Sequence, residues 1–220
     1  MLNQRLLKIA KLIQPCEVLI DIGSDHGFLP IQLLREGIIE KAIIADINPK
    51  PLQASIKNAE KYHVAEKCLF VLSNGLQSYR NDVDAMVIAG MGYETITQIF
   101  NHDMEQIKRI KQIVIQSNTH IDKLRLFLMQ SQFKIVDEEL VKDRKHFYVI
   151  LKLEYCNQPI LFDESDHWIG PVLKHRNDAL MFDYLLRLFQ NESKILKAQK
   201  KESSLKIQVI QKRLDAIQTS

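Results

Sequence analysis

Apolar and polar positions alternate along the chain in two periods, one typical of helices and one of buried strands. Residues 2–14 carry Leu or Ile every three or four positions, which predicts a short amphipathic helix. Short apolar runs then alternate with segments of helical spacing, predicted near residues 28–34, 51–63, 94–102 and 121–129. The predicted strands are Val18–Ile20, Ala42–Ala45, Cys68–Leu72, Ala85–Ile88, Gln112–Ile115, Phe133–Val136 and Phe147–Leu153.

This alternation indicates a fold class. Strands separated by helices form a mostly parallel sheet that is covered on both faces. The last two predicted strands leave no room for a helix between them, so we expect a hairpin and one antiparallel strand. The sequence therefore predicts an α/β, Rossmann-like fold with a seven-stranded, mostly parallel sheet.

The pattern changes after residue 156. Asn-Gln-Pro and an acidic stretch interrupt it between Asn157 and Asp166, so we divide the chain into domains at 1–156 and 157–220. Gly170-Pro171 is expected to open one helix, and the spacing from Ile207 to Ile217 predicts another. The two would form a helical hairpin resembling a coiled coil. Such a thin hairpin should lie against the main domain or a partner.

The most informative motif follows the first predicted strand. Asp21-Ile22-Gly23-Ser24-Asp25-His26-Gly27 forms a short acidic glycine turn, and a helix is predicted directly after it. A glycine lets the backbone approach a ligand closely, and the helix start offers free N–H groups. We expect a binding loop for an adenosine cofactor. His26 either takes a proton or bridges Asp21 and Asp25, and we favour the bridge.

The details of the turn discriminate between cofactors. A dinucleotide site requires three glycines spaced G-x-G-x-x-G, whereas this turn has only Gly23 and Gly27. Its carboxylates would repel a pyrophosphate but suit the sulfonium and ammonium groups of S-adenosylmethionine. The turn therefore favours S-adenosylmethionine over NAD.

Four further segments should reach the same edge of the sheet. Asp46 follows the second strand at the distance where an acid meets the ribose hydroxyls, the alternative being a helix N-cap. The later segments are Ser73–Gly75, Ala89–Gly92 and Gln116–Thr119. We expect the first to face the edge of the adenine and the second to lie beside the methionine end of the ligand. The other predicted cofactor-binding residues are Ser24, Ile47, Asn48, Asn74, Gly75, Gly90 and Met91, with core packing as the alternative role for Met91.

Composition limits the class of protein. Hydrophobic residues make up 46% of the chain, enough for a core, and no apolar run reaches the roughly 18 residues of a membrane span. No signal-peptide pattern is present, so we expect a cytoplasmic protein. Cys16, Cys68 and Cys156 are predicted to be buried free thiols, and no metal-ligand spacing occurs. The oligomeric state stays open, with a monomer among the alternatives.

Positive charge is concentrated at the C-terminus. Residues 170–220 contain ten Lys or Arg and five Asp or Glu, a net charge of +5, although the whole chain carries only +3. This asymmetry indicates a polyanionic partner. A solvated helix face is the alternative.

Together these motifs carry a family resemblance. DIGSDHGFLP, ADINP, SNG and AGMG, with Arg5-Leu6 in the first helix and the basic C-terminal hairpin, resemble the bacterial TrmK family. The resemblance covers essentially the whole chain. It implies a class I methyltransferase fold and S-adenosylmethionine-dependent methylation of N1 of adenine 22 in tRNA. The family's turn usually continues Ala-Tyr, and its later motif ends Gly-Gly, whereas this chain has Gly27-Phe28 and Gly92-Tyr93.

The resemblance also implies roles for individual residues. The Asp/Asn-Pro-Pro-aromatic motif of exocyclic-amine methyltransferases is missing, which agrees with a ring nitrogen as the acceptor. Asp25 is the candidate to accept a proton or stabilise charge, and Tyr93 is the candidate to stack on the extracted base, or else to pack at a helix start. Residues expected to contact RNA are Arg5, Lys174, Arg176, Lys200 and Lys201.

Other functions remain as alternatives. Within the enzyme class, a methyltransferase of another substrate would share the fold. In a different class, a cofactor-binding adaptor would dock a protein on the hairpin. A nicotinamide oxidoreductase is less favoured because the third glycine is missing.

Overall fold

The computed structural model describes residues 2–76 and 83–218. Strands and helices alternate up to residue 155, and the remaining described residues are helical or irregular. In chain order the elements are α1 (Gln4–Leu12), β1 (Cys16–Ile22), α2 (Phe28–Arg35), β2 (Ile39–Asp46), α3 (Pro49–Lys61), β3 (Cys68–Leu72), β4 (Ala85–Met91), α4 (Tyr93–Ile107), β5 (Gln112–Ser117), α5 (Ile121–Gln130), β6 (Phe133–Asp143), β7 (His146–Tyr155), α6 (Glu164–Trp168), α7 (Ala179–Ala198) and α8 (Leu205–Gln218).

The predicted sheet is confirmed. Its seven strands lie in the order β3-β2-β1-β4-β5-β7-β6. The five strands from β3 to β5 pair in parallel, whereas β7 is antiparallel to both of its neighbours. The chain order reverses between β1 and β4, and in open α/β sheets ligands bind beside that switch point.

Alternate side chains of the strands pack into two hydrophobic cores, one on each face of the sheet. Ile20 and Ile22 of β1 pack into a cluster shared with α4, α5, α7 and α8. Leu19, which points to the opposite face, packs with α1, α2 and α3. Because neighbouring residues of a strand face opposite ways, a continuous apolar run is what a sheet covered on both faces requires.

The predicted hairpin of β6 and β7 is present and longer than expected. Its strands extend to Asp143 and from His146, so only Arg144 and Lys145 lie in the turn. Arg144 adopts a φ of 54°, in the left-handed region that two-residue hairpin turns use. The tip of the hairpin therefore carries basic residues beyond the sheet.

At the C-terminus one prediction is wrong and one is confirmed. The helix expected to open at Gly170-Pro171 begins only at Ala179, because the Asp178 side chain accepts a hydrogen bond from the Met181 N–H and caps the helix there. The residues between form a separate turn. The helical hairpin itself is present, since α7 and α8 pack against each other.

The hairpin does not stand apart from the sheet. Leu173, Met181, Leu185 and Leu214 belong to the same hydrophobic cluster as the strands. The short helix α6, which the sequence pattern did not indicate, begins at a capping box made by Asp163 and Asp166. The domain division at residue 156 stays a prediction, and its outer limits at residues 1 and 219–220 lie outside the described residues.

The three cysteines are less buried than the sequence predicts. Cys16, Cys68 and Cys156 are free thiols but half-buried rather than fully buried. Burial raises the pKa of Cys16 and of Cys68 to about 11, so both stay protonated at neutral pH. Within residues 2–76 and 83–218, no helix has the length and hydropathy needed to cross a membrane, and no cluster of three potential metal ligands occurs.

Candidate functional site

The carboxyl ends of the parallel strands surround a cleft. A cavity of about 230 Å³ opens between the start of α1, the turn after β1 and the end of β4. A larger hollow, of about 550 Å³, lies at the amino ends of β1, β2 and β3, away from these loops. Residues that line the smaller cavity include Arg5, Asp21, Gly23, Ser24, Asp25, His26, Phe28 and Ala89.

Asp21 supplies a buried carboxylate at the floor of the cleft. Its residue is only 5% exposed, and the Ser24 hydroxyl donates a hydrogen bond to it. Burial raises the pKa of Asp21 to about 6; the Ser24 hydrogen bond opposes this rise, and the negative charge of Asp46 adds to it. A cationic ligand would be stabilised by the negative charges of these two carboxylates.

Gly23 shapes the turn above this carboxylate. Its φ of 73° lies in the left-handed region, and its N–H donates to the Ala45 carbonyl at 2.8 Å. The place of a β-carbon is filled by the methyl end of the Met91 side chain. Met91 therefore packs directly on the binding turn, as its alternative role in packing predicts, and its contact with the ligand stays a prediction.

Asp25 and His26 lie on the outer side of the turn. Asp25 is strained, with a φ of 45°, and its side chain is 77% exposed. The His26 ring lies 3.6 Å from the Asp25 carboxylate, but within the described structure it makes no contact with Asp21. The predicted His26 bridge between Asp21 and Asp25 is therefore wrong. The Asp21 carboxylate accepts a hydrogen bond from the Ser24 hydroxyl instead. The Asn58 side chain, on α3, donates a hydrogen bond to the His26 carbonyl and so fixes the turn.

Asp46 ends β2 with its side chain facing the same edge. Its carboxylate accepts a hydrogen bond from the Asn48 N–H at 2.8 Å, and Asn48, not Asp46, occupies the N-cap position of α3. The N-cap alternative for Asp46 is therefore wrong. Ile47 beside it is 61% exposed, and Leu72, whose backbone pairs with Asp46 across the strands, is 59% exposed. Two exposed apolar side chains at a polar edge suit the face of a purine ring.

Leu72 was not identified from the sequence, where it reads as the last residue of a buried strand. The turn after it was identified, and it places Asn74 on the surface and Gly75 inside. Gly75 has a φ of 66°, and a β-carbon there would lie 2.5 Å from the Asp103 carboxylate. Asp103 in turn accepts the Leu76 N–H at 2.7 Å, which fixes the turn against α4.

A buried amide organises the loop after β4. The Gln116 carbonyl oxygen accepts hydrogen bonds from the Arg5 guanidinium and, at 3.2 Å, from the Gly90 N–H. Its amide nitrogen donates to Asn118, whose own amide donates to the Gly90 carbonyl at 2.7 Å. Arg5 also lies over the Tyr148 ring. This network ties the first helix to the loop, and the individual roles of Gln116 and Asn118 were missed in the sequence.

Tyr93 begins α4 on the far side of that loop. Its N–H donates to the Thr119 hydroxyl at 3.0 Å, and its ring meets the His120 ring edge-on at 6.3 Å between centroids. His120 has a φ of 47°, a strained value for a residue with a side chain. The structure thus brings Tyr93 and His120 together beside the loop that follows β4.

The predicted RNA-contacting cations do not lie together. Arg5 lines the cleft, whereas Lys174 is paired with Asp163 and Asp166, and Arg176 is paired with Asp178. Lys200 and Lys201 are exposed just after α7. Within the described residues Lys200 and Lys201 have no carboxylate partner, and Arg5 has none either but donates a hydrogen bond to Gln116.

The chain is similar to known methyltransferases over most of its length. Residues 2–151 match the family model described as a methyltransferase domain. The chain is 25% identical over 184 residues to the tRNA (adenine(22)-N(1))-methyltransferase of Bacillus subtilis, an alignment that covers 81% of this chain and 77% of that protein.

Two solved structures extend the likeness over the full length. One is the TrmK protein of M. capricolum in complex with S-adenosylhomocysteine, 30% identical with a TM-score of 0.79, covering 100% of this chain and 97% of that one. The other is a putative tRNA (m1A22) methyltransferase of Streptococcus pneumoniae in complex with S-adenosyl-L-methionine. It is 28% identical with a TM-score of 0.84, covering 100% and 99% of the two chains.

Proposed function

The chain belongs to the methyltransferase domain family and within it to the TrmK family, and from that premise we propose that it transfers a methyl group from S-adenosylmethionine to N1 of adenine 22 in tRNA. The observation that carries the proposal is the pair of carboxylates, Asp21 and Asp46, at the switch point of the sheet. Their charges, and the rise in the pKa of Asp21, fit a cationic ligand and oppose a pyrophosphate.

Residues of the cleft and of the loops beside it would each hold a different part of the cofactor. Asp46 has a carboxylate that can accept the ribose hydroxyls while it accepts the Asn48 N–H. Ile47 and Leu72 would cover the two faces of the adenine, and the turn at Asn74 and Gly75 would reach its edge. The remaining cofactor-contacting residues in this proposal are Asp21, Gly23, Ser24, His26, Gly27, Asn48, Gly90 and Met91.

The acceptor would enter beside Gly90 and Tyr93. S-adenosylmethionine, when bound, supplies an electrophilic methyl group that the lone pair of adenine N1 attacks, and S-adenosylhomocysteine leaves. The chain's own contribution is to hold the two reactants at attack distance and to exclude water. The Arg5, Gln116 and Asn118 network fixes the Gly90 backbone for that purpose.

Two side chains would act on the base itself. Tyr93 would stack on the adenine after it leaves the RNA stack, because it begins α4 two residues after Met91, whose side chain packs on the turn that would bind the cofactor. Methylation at N1 leaves a positive charge that is lost when N6 gives up a proton. Asp25, exposed and beside His26, would stabilise that charge or accept the proton.

Cations would bind the tRNA backbone around the cleft. Arg5 lies in the cleft wall, and Lys200 and Lys201 lie free at the end of α7. Lys174 and Arg176 would have to leave their carboxylate partners to contact a phosphate. Because its substrate is tRNA, we place the protein in the cytoplasm.

The test uses the full chain, labelled S-adenosylmethionine and two unmodified tRNA transcripts, one with adenine and one with guanine at position 22. We expect label in the first transcript only, and mapping should locate it at N1 of adenine 22. Label at another nucleotide would replace the proposed target. Cofactor binding without transfer to any RNA would instead favour the adaptor.

A further inference from the structure

A second groove opens at the carboxyl edge, beyond Tyr93. It has a volume of about 220 Å³ and lies between the loop after β5, the turn of the β6–β7 hairpin and the middle of α7. We call it the loop–hairpin groove. Its polar lining includes Asn118, His120, Lys145, His146, Arg187 and Asn191.

This groove lies against the loop after β4, beside which the base is proposed to enter. Thr119 accepts the Tyr93 N–H, and the His120 ring contacts the Tyr93 ring edge-on. Asn118 donates to the Gly90 carbonyl at 2.7 Å, and Gly90 follows Ala89, which lines the cleft. Residues 118–120 line the groove and contact this loop, so an RNA whose base enters beside Gly90 and Tyr93 would have its neighbouring nucleotides near the groove.

The charge in the groove is positive and uncompensated. Lys145 and Arg187 are both exposed, and no acidic residue is among the described residues that line the groove. Neither cation has a carboxylate partner in the described parts of the chain. In contrast, two cations on neighbouring elements are paired with carboxylates: Lys142 with Asp183 at 2.7 Å, and Lys206 with Asp122 at 2.8 Å.

From this arrangement we propose that the loop–hairpin groove binds the phosphate and ribose of a nucleotide adjacent to the target adenine, with Lys145 and Arg187 as the phosphate contacts. The inference rests on the proposed function, since it assigns the path of the same RNA. Phosphate contacts fix the position of a nucleic acid on a protein without reading its sequence. They would determine which base faces the methyl donor.

The arrangement of the two cations favours a backbone segment over a separate small ligand. Arg187 on a helix and Lys145 in a hairpin turn approach from different elements, one with a planar fork and one with a point charge. Asn191 and His146 add groups suited to the ribose hydroxyls.

The experiment compares a double variant, Lys145→Ala with Arg187→Ala, with a matched variant that loses two exposed lysines from the opposite edge of the sheet, Lys41→Ala with Lys67→Ala. Binding of unmodified tRNA is measured over a range of salt concentrations, and S-adenosylmethionine binding by calorimetry. We expect the groove variant to bind tRNA roughly tenfold more weakly and its salt slope to fall by about 2. The matched variant should bind as wild type does, and cofactor affinity should be unchanged in both.

The possible results distinguish the groove proposal from the methyltransferase proposal. Unchanged tRNA affinity and salt slope in the groove variant would overturn the inference and leave the methyltransferase proposal standing. Weakened RNA binding, with wild type unable to methylate any tRNA, would support the groove and reject the proposed function. No tRNA binding by wild type would reject both. With Lys145 left in place, the single variant Arg187→Lys should bind tRNA more tightly than the double variant, because it retains the positive charge.

Discussion

Arg125 and Glu138 form an ion pair with both side chains fully buried, the Arg125 Nε donating to the Glu138 carboxylate at 2.8 Å. The other Glu138 oxygen accepts the N–H groups of Val172 and Leu173 at 2.9 and 3.0 Å. Arg125 lies on α5 and Glu138 on β6. One carboxylate thus connects the sheet to the segment that leads into the C-terminal hairpin.

Glu138→Ala is expected to destabilise the protein severely. It leaves Arg125 charged, buried and without its partner, which costs about 3–5 kcal/mol in the free energy of unfolding. The N–H groups of Val172 and Leu173 also lose their acceptor. Urea denaturation measures the first effect, and hydrogen exchange at those two amides, faster in the variant, measures the second.

An exposed ion pair provides the control for that variant. Lys142 and Asp183 also connect β6 to α7, but their side chains are 43% and 49% exposed. Lys142→Ala should therefore change stability by less than about 1 kcal/mol. Equal losses in the two variants would contradict the role assigned to burial.

Asp21 should make the stability of the free protein depend on pH. Its folded pKa, about 6, lies above the ordinary value of 3.8, so the stabilisation is complete below pH 3.8 and is lost as the pH rises through 6. Asp21→Asn removes this penalty. In denaturation at pH 8 the variant should be more stable than wild type by up to about 3 kcal/mol, and the difference should vanish near pH 4.

The same carboxyl should give cofactor binding the opposite pH dependence. In the proposed site S-adenosylmethionine contacts the charged form of Asp21, so its affinity for wild type should fall by up to about tenfold for each pH unit below 6. Calorimetry at pH 5, 6 and 7.5 measures this. Asp21→Asn should bind weakly at every pH, and a wild-type affinity that is constant across this range would refute the assigned contact.

Much of the cleft was predictable because its signals are local. A strand followed by glycines and acids specifies a turn, and Asp46 follows one strand–helix–strand unit later, at the same edge. The link between Arg5 and Gln116 was not predictable, because the two residues are 111 positions apart and meet only when the sheet forms. Charged residues on an amphipathic helix or an edge strand are typical of the protein surface, and it is the contacts with the segment at His167, Val172 and Leu173 that accompany the burial of Arg125 and Glu138.

The late start of α7 has a similar physical reason. Gly170 and Pro171 are typical of a helix opening, but Glu138 binds the next two backbone N–H groups and holds them in a separate turn. A distant side chain therefore overrides a local signal. The correct start at Asp178 is a sequence-readable N-cap that the stronger Gly-Pro signal obscured.

Gly23→Ala should weaken cofactor binding more than its backbone strain explains. Its φ is positive, and the added methyl would occupy the place of the Met91 side-chain end. Gly37 is the matched control, because its φ of 68° is similar but nothing lies within 4 Å of the added carbon. Gly37→Ala should lose about 1–2 kcal/mol of stability and keep its cofactor affinity.

A second substitution separates collision from strain. Met91→Ala in the Gly23→Ala background opens the space for the new methyl group, so part of the lost affinity should return. Calorimetry with S-adenosylhomocysteine measures the three variants and wild type. Equal affinities in Gly23→Ala and Gly37→Ala would show that the contact with Met91 is unimportant.

Asp25→Asn tests the group proposed to handle the charge on the methylated base. The amide keeps the size of the side chain but neither accepts a proton nor carries charge, so kcat should fall by about 100-fold. Cofactor affinity should change little, because the Asp25 side chain is 77% exposed. Single-turnover methylation of tRNA measures the effect, and a wild-type rate would assign the role elsewhere.

Tyr93 is proposed to stack on the adenine, and stacking requires the ring but not the hydroxyl. Tyr93→Phe should therefore keep wild-type kcat/KM, whereas Tyr93→Ala should lose the roughly 1–3 kcal/mol that an aromatic contact with a base provides, about 5-fold to 150-fold in kcat/KM. Tyr62→Ala removes a partly exposed tyrosine that packs beside Arg35, remote from the cleft loops, and serves as the control. If Tyr93→Ala instead lowers thermal stability and leaves kcat/KM unchanged, the ring only packs at the start of α4 against His120. A loss in Tyr93→Phe equal to that in Tyr93→Ala would transfer the role from the ring to the hydroxyl.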